Sequence, residues 1–283
     1  MSEIPRRTID DLMLRYELEP ELDDVYVEGN FDKDVLTACF EGGSGSSRIV
    51  YTIDSVDVPY PVLDKYRLTE GNKQRVLALC RELESANHLN CKFLVDRDLD
   101  HWFDDLCEVR GLVWTRYCAL ELYFFDDALM RKFIIGASRS KIPDWSAFVV
   151  TFCSALVFMY AVRLADRELD FQMKWVDFDK DLKLVGGLLD LNKTSYINRV
   201  LSKNNKLQFM LDFKASVDQW YDKCVSHDHR LAIRGHDFVS LLAFVIKNGR
   251  GNSALGTVEA IERTLILLST AELEVCGDLS GIN

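Results

Sequence analysis

Proline and glycine are scarce in this chain, with 5 and 15 residues among 283, so long flexible linkers and collagen-like segments are not expected. Positive charge is also in short supply, because 34 Lys and Arg face 45 Asp and Glu and leave a net charge of −11. This balance excludes a protein that coats nucleic acid over its whole surface, although it is compatible with a local basic groove. The 48% hydrophobic and 28% charged residues are typical of a soluble globular protein of one large or two small domains.

The eight cysteines lack the spacing of a metal site or a redox motif. No Cys-x-x-Cys pair occurs, and most of the cysteines stand in apolar surroundings. We therefore expect reduced, buried thiols in a cytoplasmic protein. No apolar stretch follows Arg6 and Arg7, so no secretory signal is expected. The glycine-rich stretch at 42–45 is not followed by Gly-Lys-Ser/Thr and is therefore not a P-loop, so we do not expect this chain to hydrolyse ATP.

One segment, 145–162, has no charged side chain and must be compared with a membrane span. A helix needs about 20 apolar residues to cross a bilayer. This run is shorter, contains Ser, Thr and Tyr, and lies between Asp144 and Arg163. These features favour a helix in the core of a soluble protein, and no membrane association is expected.

The first half of the chain alternates between strand-like and helix-like patterns. The β-branched and aromatic runs predict strands at 24–28, 48–56, 93–95 and 112–117. Apolar residues at helical spacing predict helices at 31–40 and after Gly71. A strand–helix order of this kind predicts an α/β fold, with a parallel sheet that is flanked by helices.

The pattern changes from about Ala119 onward, where helical spacing dominates. The best remaining strand candidate is 170–178. The predicted helices cover 120–133, 145–164, 180–191, 195–201, 207–221, 238–246 and 258–268. We therefore expect an α/β domain at 1–135 and a mainly helical domain at 136–283.

Acidic residues follow three of the predicted strands. Glu28 ends the first strand, Asp96, Asp98 and Asp100 follow the third, and Glu121 comes after the fourth. Ligands of open parallel sheets bind beyond the carboxyl ends of the strands, so these carboxylates can meet at one edge. Clustered carboxylates repel one another unless a cation lies among them, and oxygen ligands suit Mg²⁺ or Mn²⁺. The sequence therefore predicts a divalent metal site.

The acidic run has three other interpretations. The EF-hand pattern fails, because His101 takes the place of its glycine and Cys107 that of its final glutamate. Asp98 and Asp100 each also fit a helix cap in a solvated loop. The Asp-x-Asp motif of haloacid dehalogenase phosphatases normally follows the first strand of the domain, whereas here it follows the third, which leaves that class a minor alternative.

These motifs resemble the TOPRIM domain of topoisomerases, primases and OLD-family nucleases. The similar elements are Val27-Glu28-Gly29-x-x-Asp32 and Val95-Asp96-x-Asp98-x-Asp100. A closer resemblance is to the TOPRIM-like family encoded beside ABC-type ATPases. The additional shared elements are Thr115-x-Tyr117-x-x-x-Glu121 and Gly235-His236-Asp237 before an apolar helix. The resemblance covers most of the chain and depends on short motifs.

The resemblance implies phosphodiester hydrolysis with Mg²⁺ or Mn²⁺ as the cofactor. Such an ion polarises the scissile phosphate and activates a water molecule. Glu28 would be a metal ligand or a general acid/base. The implied metal ligands are Glu28, Asp96, Asp98 and Asp100, with Asp32 and Glu121 as carboxylates that support them without binding the ion directly.

A cation near the metal would offset the charge that builds on the phosphate during hydrolysis. Lys73 is the candidate for this catalytic role, because it opens a helix and helix N-termini attract phosphate. Lys73 is equally well interpreted as an exposed lysine in the first turn of a helix, with no catalytic role. Arg97 lies within the acidic run and either binds nucleic acid or neutralises the carboxylates. The other candidate nucleic-acid-binding residues are Arg48, Arg116, Arg131, Lys132, Arg139 and Lys141, although a charge run is more often simply a solvated face.

The resemblance further implies a toxic nuclease effector of an anti-phage defence system, with host tRNA as the RNA substrate. An ABC-type ATPase partner would hold the nuclease inactive, and release would permit a homodimer to form. Two other interpretations stay open: a metal-dependent phosphatase or phosphotransferase acting on a small phosphate ester, and a non-catalytic binding subunit. His227, His229 and His236 are close in sequence but lack the spacing of a zinc site.

Overall fold

The structure is a computed structural model that describes residues 6–41, 48–86, 91–269 and 273–280. The chain divides into two compact units, one made of Met1–Leu120 with Thr264–Asn283 and the other of Glu121–Arg263. This division places the boundary earlier than the one expected after residue 135, and it assigns the last segment of the chain to the first unit. The glycine-rich stretch at 42–45 lies outside the described residues.

The first unit contains a four-stranded parallel sheet, as the sequence predicts. Tyr26 pairs with Tyr51 on one side and with Phe93 on the other, which defines the register at the centre of the sheet. The two central strands are almost wholly buried, as strands covered on both faces must be. The sheet order is β2-β1-β3-β4, and the strands are β1 (Asp24–Val27), β2 (Val50–Thr52), β3 (Cys91–Val95) and β4 (Leu112–Trp114).

Helices pack against this sheet and bury its side chains. Tyr26, Phe93 and Val95 join one apolar cluster with residues of the first and fourth helices. Val25 and Leu94, which alternate with them along the strands, are buried as well and face the other side. The four helices that precede β4 are α1 (Ile9–Leu18), α2 (Asn30–Glu41), α3 (Tyr60–Lys65) and α4 (Asn72–Ser85).

A buried polar network joins α1 to β1. The hydroxyl of Tyr16 lies 3.0 Å from a carboxylate oxygen of Asp24 and 2.8 Å from the hydroxyl of Tyr26. Asp24 is only 1% exposed, and its burial raises the pKa of its carboxyl group. The Arg15 guanidinium lies 3.1 Å from the same carboxylate and opposes that shift with its charge. Arg15 therefore neutralises a carboxylate that cannot reach solvent.

From Glu121 onward the structure is mainly helical, as predicted, but it also contains a two-stranded antiparallel sheet. Its strands are β5 (Leu182–Val185) and β6 (Leu188–Leu191). The helices are α5 (Asp127–Arg131), α6 (Trp145–Glu168), α7 (Lys193–Lys203), α8 (Met210–Val225), α9 (Gly235–Asn248), α10 (Val258–Leu267) and α11 (Glu274–Ser280), of which α11 belongs to the first unit.

Three predictions for this region were wrong. The predicted helix at 180–191 is the β5–β6 hairpin, because Gly186 and Gly187 both adopt the positive φ that a tight turn between strands requires. The strand candidate at 170–178 is not a strand, and positive φ values at Asp170 and Gln172 interrupt its backbone. The predicted helix at 120–133 divides into a 3₁₀ segment, the short α5 and a π-helical segment.

The long apolar segment forms α6, a helix with the length and apolar composition of a membrane span. Inside the protein, 67% of its most apolar stretch is buried. It packs against α8, α9 and β6 within the second unit. This packing supports the predicted core helix. The described cysteines form no disulfide, and all of them except Cys107 are buried, in agreement with the expected thiols.

Replacing Arg15 with Ala should destabilise the protein by about 3 kcal/mol or more, because it leaves the buried Asp24 carboxylate without its counter-ion. Urea-induced unfolding at neutral pH measures this change. The double variant Arg15→Ala/Asp24→Asn should recover most of the loss, since no charge then remains to be buried. A double variant as unstable as the single one would contradict this explanation.

Candidate active site

The ends of β1 and β3 place Glu28 and Asp96 next to each other. These strands are parallel neighbours, so the residues that follow them emerge at the same edge of the sheet. The Glu28 carboxylate accepts a hydrogen bond of 3.0 Å from the backbone N–H of Asp96. The structure thus brings together two acidic residues that are 68 positions apart in the chain.

Lys73 lies among the acidic side chains at this edge. Its Nζ atom is 3.0 Å from Asp98 Oδ2 and 2.5 Å from Asp100 Oδ2, and its side chain is only 12% exposed. The side-chain amide of Asn72 donates a 2.8 Å hydrogen bond to the Glu28 carbonyl, which holds the start of α4 against the end of β1. Lys73 is therefore not an exposed lysine of a first helical turn. We call Glu28, Lys73, Asp98 and Asp100 the edge cluster.

The three aspartates in the loop after β3 differ in their contacts and in their backbone conformation. Asp96 Oδ1 accepts a 3.2 Å hydrogen bond from the Leu120 N–H, so this carboxylate anchors the segment that follows β4. Asp98 adopts a left-handed backbone conformation with φ of 47°, and its N–H donates to the Cys118 carbonyl at 2.8 Å. Positive φ is uncommon for residues other than glycine. Asp100 begins a 3₁₀ turn that ends at Trp102.

The electrostatics of the edge cluster follow from its burial. Burial, together with repulsion from Asp98 and Asp100, raises the pKa of Glu28 from 4.5 to about 7, although the Asp96 N–H and the Lys73 charge oppose the shift. Burial alone would lower the pKa of Lys73, but the two aspartates outweigh it and raise that pKa. The lysine is therefore charged at neutral pH, whereas Glu28 is near its titration midpoint.

The edge cluster brings oxygen donors and one ammonium group close together. In the part of the chain that the structure describes, no group of three or more His, Cys, Asp or Glu side chains is arranged to hold an ion. The oxygen donors of Glu28, Asp98 and Asp100 nevertheless suit a hard cation such as Mg²⁺. Asp98 and Asp100 already converge on one cation, the ammonium group of Lys73. The chemistry of the donors fits the predicted metal, and the predicted ligand set stays a prediction.

Two further carboxylates were predicted to support the metal ligands. Asp32 accepts a 3.0 Å hydrogen bond from the Gly29 N–H and so stabilises the start of α2 directly after Glu28. Glu121 lies in the 3₁₀ segment Leu120–Phe124 and is assigned to the second unit. The proposed role of each as a support for a bound ion stays a prediction.

Arg48 lies at the other edge of the sheet, away from the edge cluster, and its role in nucleic-acid binding stays a prediction. Its guanidinium pairs with Asp23, which precedes β1, and lies 5.5 Å from the Phe40 ring centroid. A residue that precedes a strand of a parallel sheet lies at the amino edge, opposite the edge that holds Glu28. Four other candidates for nucleic-acid binding are exposed residues of the second unit, namely Arg131, Lys132, Arg139 and Lys141.

The other two arginines predicted to bind nucleic acid are held by the protein itself. The Arg97 guanidinium donates to the carbonyl of Thr115, and the Arg97 N–H donates to the Thr115 hydroxyl at 3.1 Å. Arg116 pairs with Asp278 at 2.5 Å and with Glu274 at 3.4 Å, both on α11. The hydrogen bond to Asp278 is the main reason why the pKa of Arg116 is raised.

The sequence analysis missed two contributors to the edge cluster. Asn72 fixes the start of α4, and the ring of Trp114 lies 5.2 Å from Lys73 Nζ, a cation–π distance. The sequence could have indicated Trp114, because this residue lies at the end of a predicted strand. The ends of parallel strands lie at the carboxyl edge of the sheet, where the acidic residues are. Asn72 offered no comparable signal, since its partner is a backbone carbonyl 44 residues away.

No family model matches the chain, and no curated protein matches it. The resemblance to TOPRIM proteins therefore stays a prediction, and a functional proposal must be argued from the arrangement of the described residues.

The Glu28→Gln variant should change how stability depends on pH. Because folding raises the pKa of Glu28, the native state binds its proton more tightly, and wild type loses stability as the pH rises from 4.5 through about 7. Relative to the variant, the unfolding free energy of wild type should fall by about 3 kcal/mol between pH ~4 and ~8.

Urea unfolding across that pH range measures the difference. Glu17→Gln removes a carboxylate from the exposed side of α1 and controls for the change in net charge. A constant difference between wild type and Glu28→Gln at every pH would show that Glu28 does not titrate as the geometry requires.

Proposed function

We propose that the protein is a metal-dependent nuclease, with its active site at the edge cluster. The observation that carries this proposal is the convergence of Asp98 and Asp100 on Lys73, beside the partly buried Glu28, at the carboxyl edge of a parallel sheet. Open α/β sheets bind their ligands at this edge. Carboxylates with a buried lysine among them are the groups that metal-assisted phosphoryl chemistry needs.

Glu28, Asp98 and Asp100 would hold a Mg²⁺ or Mn²⁺ ion, with Asp96 as the further predicted ligand. A bound ion of this kind polarises a phosphodiester and lowers the pKa of water. A Glu28 carboxylate with a pKa of about 7 accepts or returns a proton at neutral pH, as a general acid/base must. The Lys73 ammonium would offset the negative charge that develops on the phosphate.

The biological role in this proposal comes from the motif resemblance. The motifs are similar to those of the nuclease subunit of the PARIS anti-phage defence system. On that basis the protein is a cytoplasmic toxin that cleaves host tRNA. An ABC-type ATPase holds it inactive until infection, and the released chain forms a homodimer. The net charge of −11 suits an enzyme that touches RNA at one site only.

One observation favours a second candidate, a phosphatase or phosphotransferase that acts on a small phosphate ester. Arg97 and Arg116 are engaged by groups of the protein itself, and Arg48 lies at the other edge of the sheet. These three arginines are thus less available to a long polyanion, whereas a single phosphate needs only Lys73. The same assay separates the two candidates.

Purified wild type with Mg²⁺ or Mn²⁺ should cut total tRNA into discrete fragments, and a chelator should abolish this activity. Glu28→Ala and Lys73→Ala should each reduce the rate by about a hundredfold or more, because they remove the acid/base and the charge that stabilises the transition state. Asp57→Ala, at an exposed carboxylate of the same unit, should cut at the wild-type rate. Circular dichroism checks that each variant is folded.

Two results would contradict the nuclease. Hydrolysis of a phosphomonoester with intact RNA, lost in Glu28→Ala, would establish the small-ester enzyme. If a folded protein, released from its ATPase, leaves both RNA and a phosphomonoester intact with every metal, the protein is a non-catalytic binding subunit.

A further inference from the structure

The second unit contains a cavity of about 430 Å³ where α9 begins. Its volume is in the range of small-molecule sites. Aromatic side chains, among them Trp175 and Phe244, form part of its wall, and charged side chains of α9 and its N-cap form another. This cavity belongs to Glu121–Arg263 alone and is separate from the edge cluster. An inference about it therefore does not depend on the proposed nuclease.

The start of α9 presents hydrogen-bond donors at this cavity. Arg234 is the N-cap residue and provides no side-chain cap. Among the described residues, nothing accepts a hydrogen bond from the backbone N–H groups of Gly235, His236 and Asp237. Arg234, His236 and Asp237 all line the cavity. Open N–H groups and the positive end of a helix dipole together favour an anionic ligand.

The one buried carboxylate at this helix start already has its counter-ion. Asp237 Oδ2 lies 3.2 Å from Nε of Arg163, and Oδ1 lies 3.3 Å from its Nη2. The Arg163 guanidinium also lies 4.3 Å from the centroid of the Trp175 ring, which holds it in place. Asp237 therefore does not repel an anion as an unpaired carboxylate would. Lys247 supplies further positive charge to the lining, as does Arg234, whose Nη1 lies 3.9 Å from Asp237 Oδ1.

The formal charges of the lining balance, because Asp177 and Asp179 also belong to it. Both of these residues are exposed to solvent, where water screens their charge. The preference for an anion thus depends on where the donors lie and not on net charge.

Tyr196 is an independent sign of a ligand. It lines the cavity, is 2% exposed, and its hydroxyl makes no hydrogen bond within the residues that the structure describes. The hydroxyl oxygen is not among the fully enclosed polar atoms that lack a partner, so it meets the space of the cavity, where a ligand can accept its hydrogen bond. Burial raises the pKa of Tyr196 to about 12, so the phenol keeps its proton and acts as a donor at neutral pH.

We propose that this cavity binds a small organic phosphate of about nucleotide size, such as a nucleoside 5′-monophosphate. The phosphate accepts hydrogen bonds from the first turn of α9 and from Arg234. The organic part packs against Trp175 and Phe244, and one of its polar atoms accepts a hydrogen bond from Tyr196.

Isothermal titration calorimetry of the full chain with the four nucleoside 5′-monophosphates tests this proposal. We expect at least one of them to bind, and its affinity to fall as salt is added. The matching nucleoside, which lacks the phosphate, should not bind. Arg234→Ala should weaken binding about tenfold and Tyr196→Phe about fivefold, as expected for one charged and one neutral hydrogen bond.

Two control variants isolate the site. Lys214→Ala removes an exposed cationic side chain of the same unit that does not line the cavity, and it should bind like wild type. Glu28→Ala should also bind like wild type, so failure of the nuclease proposal and failure of this one are distinguishable. The Arg234 side chain is 43% exposed, so its variant should fold and decides the question if Tyr196→Phe does not fold.

The proposal is overturned if no monophosphate gives heat or raises the melting temperature of the wild type. It is also overturned if binding occurs with the same affinity in Arg234→Ala, which would place the ligand elsewhere. Binding of inorganic phosphate as tight as that of every nucleotide would show an unspecific anion site and would exclude the organic ligand.

Discussion

The carboxyl edge of the sheet depends on one charge, the ammonium group of Lys73. Asp98 and Asp100 both lie within hydrogen-bond distance of it, and the partly buried Glu28 lies beside them. Without a cation, three carboxylates would repel one another in a partly buried site, where water screens them poorly. The hydrogen bond from Asn72 to the Glu28 carbonyl holds the start of α4 where Lys73 can neutralise these carboxylates.

Part of this arrangement follows from the sequence. A strand that ends in Glu28 and another that is followed by Asp96 can be recognised locally, and parallel pairing then brings the two together. The position of Arg48 just before a strand likewise indicates the amino edge, where it pairs with Asp23. The partners of Arg116 could not be found from local pattern, since Asp278 lies 162 positions away.

The wrong prediction of a helix at 180–191 has a physical explanation. Its leucines satisfy helical spacing and strand alternation equally well, so periodicity alone does not decide between them. Gly186 and Gly187 decide it, because adjacent glycines adopt positive φ at little cost and favour a two-residue turn. The side chain of Leu189 is then buried, whereas Leu188 is exposed, as in a strand with one face covered.

An acidic protein that cleaves RNA must find cations for the phosphates near its active site. Arg116 lies close in sequence to the strand that ends at Trp114, but two carboxylates of α11 hold it. Its side chain is 49% exposed, and ion pairs of this kind contribute about 0–1 kcal/mol each. An RNA phosphate can therefore replace Glu274 or Asp278 at little cost in free energy. The pairing of Arg116 is thus compatible with a nuclease, whereas Arg48 lies at the amino edge of the sheet, away from the edge cluster.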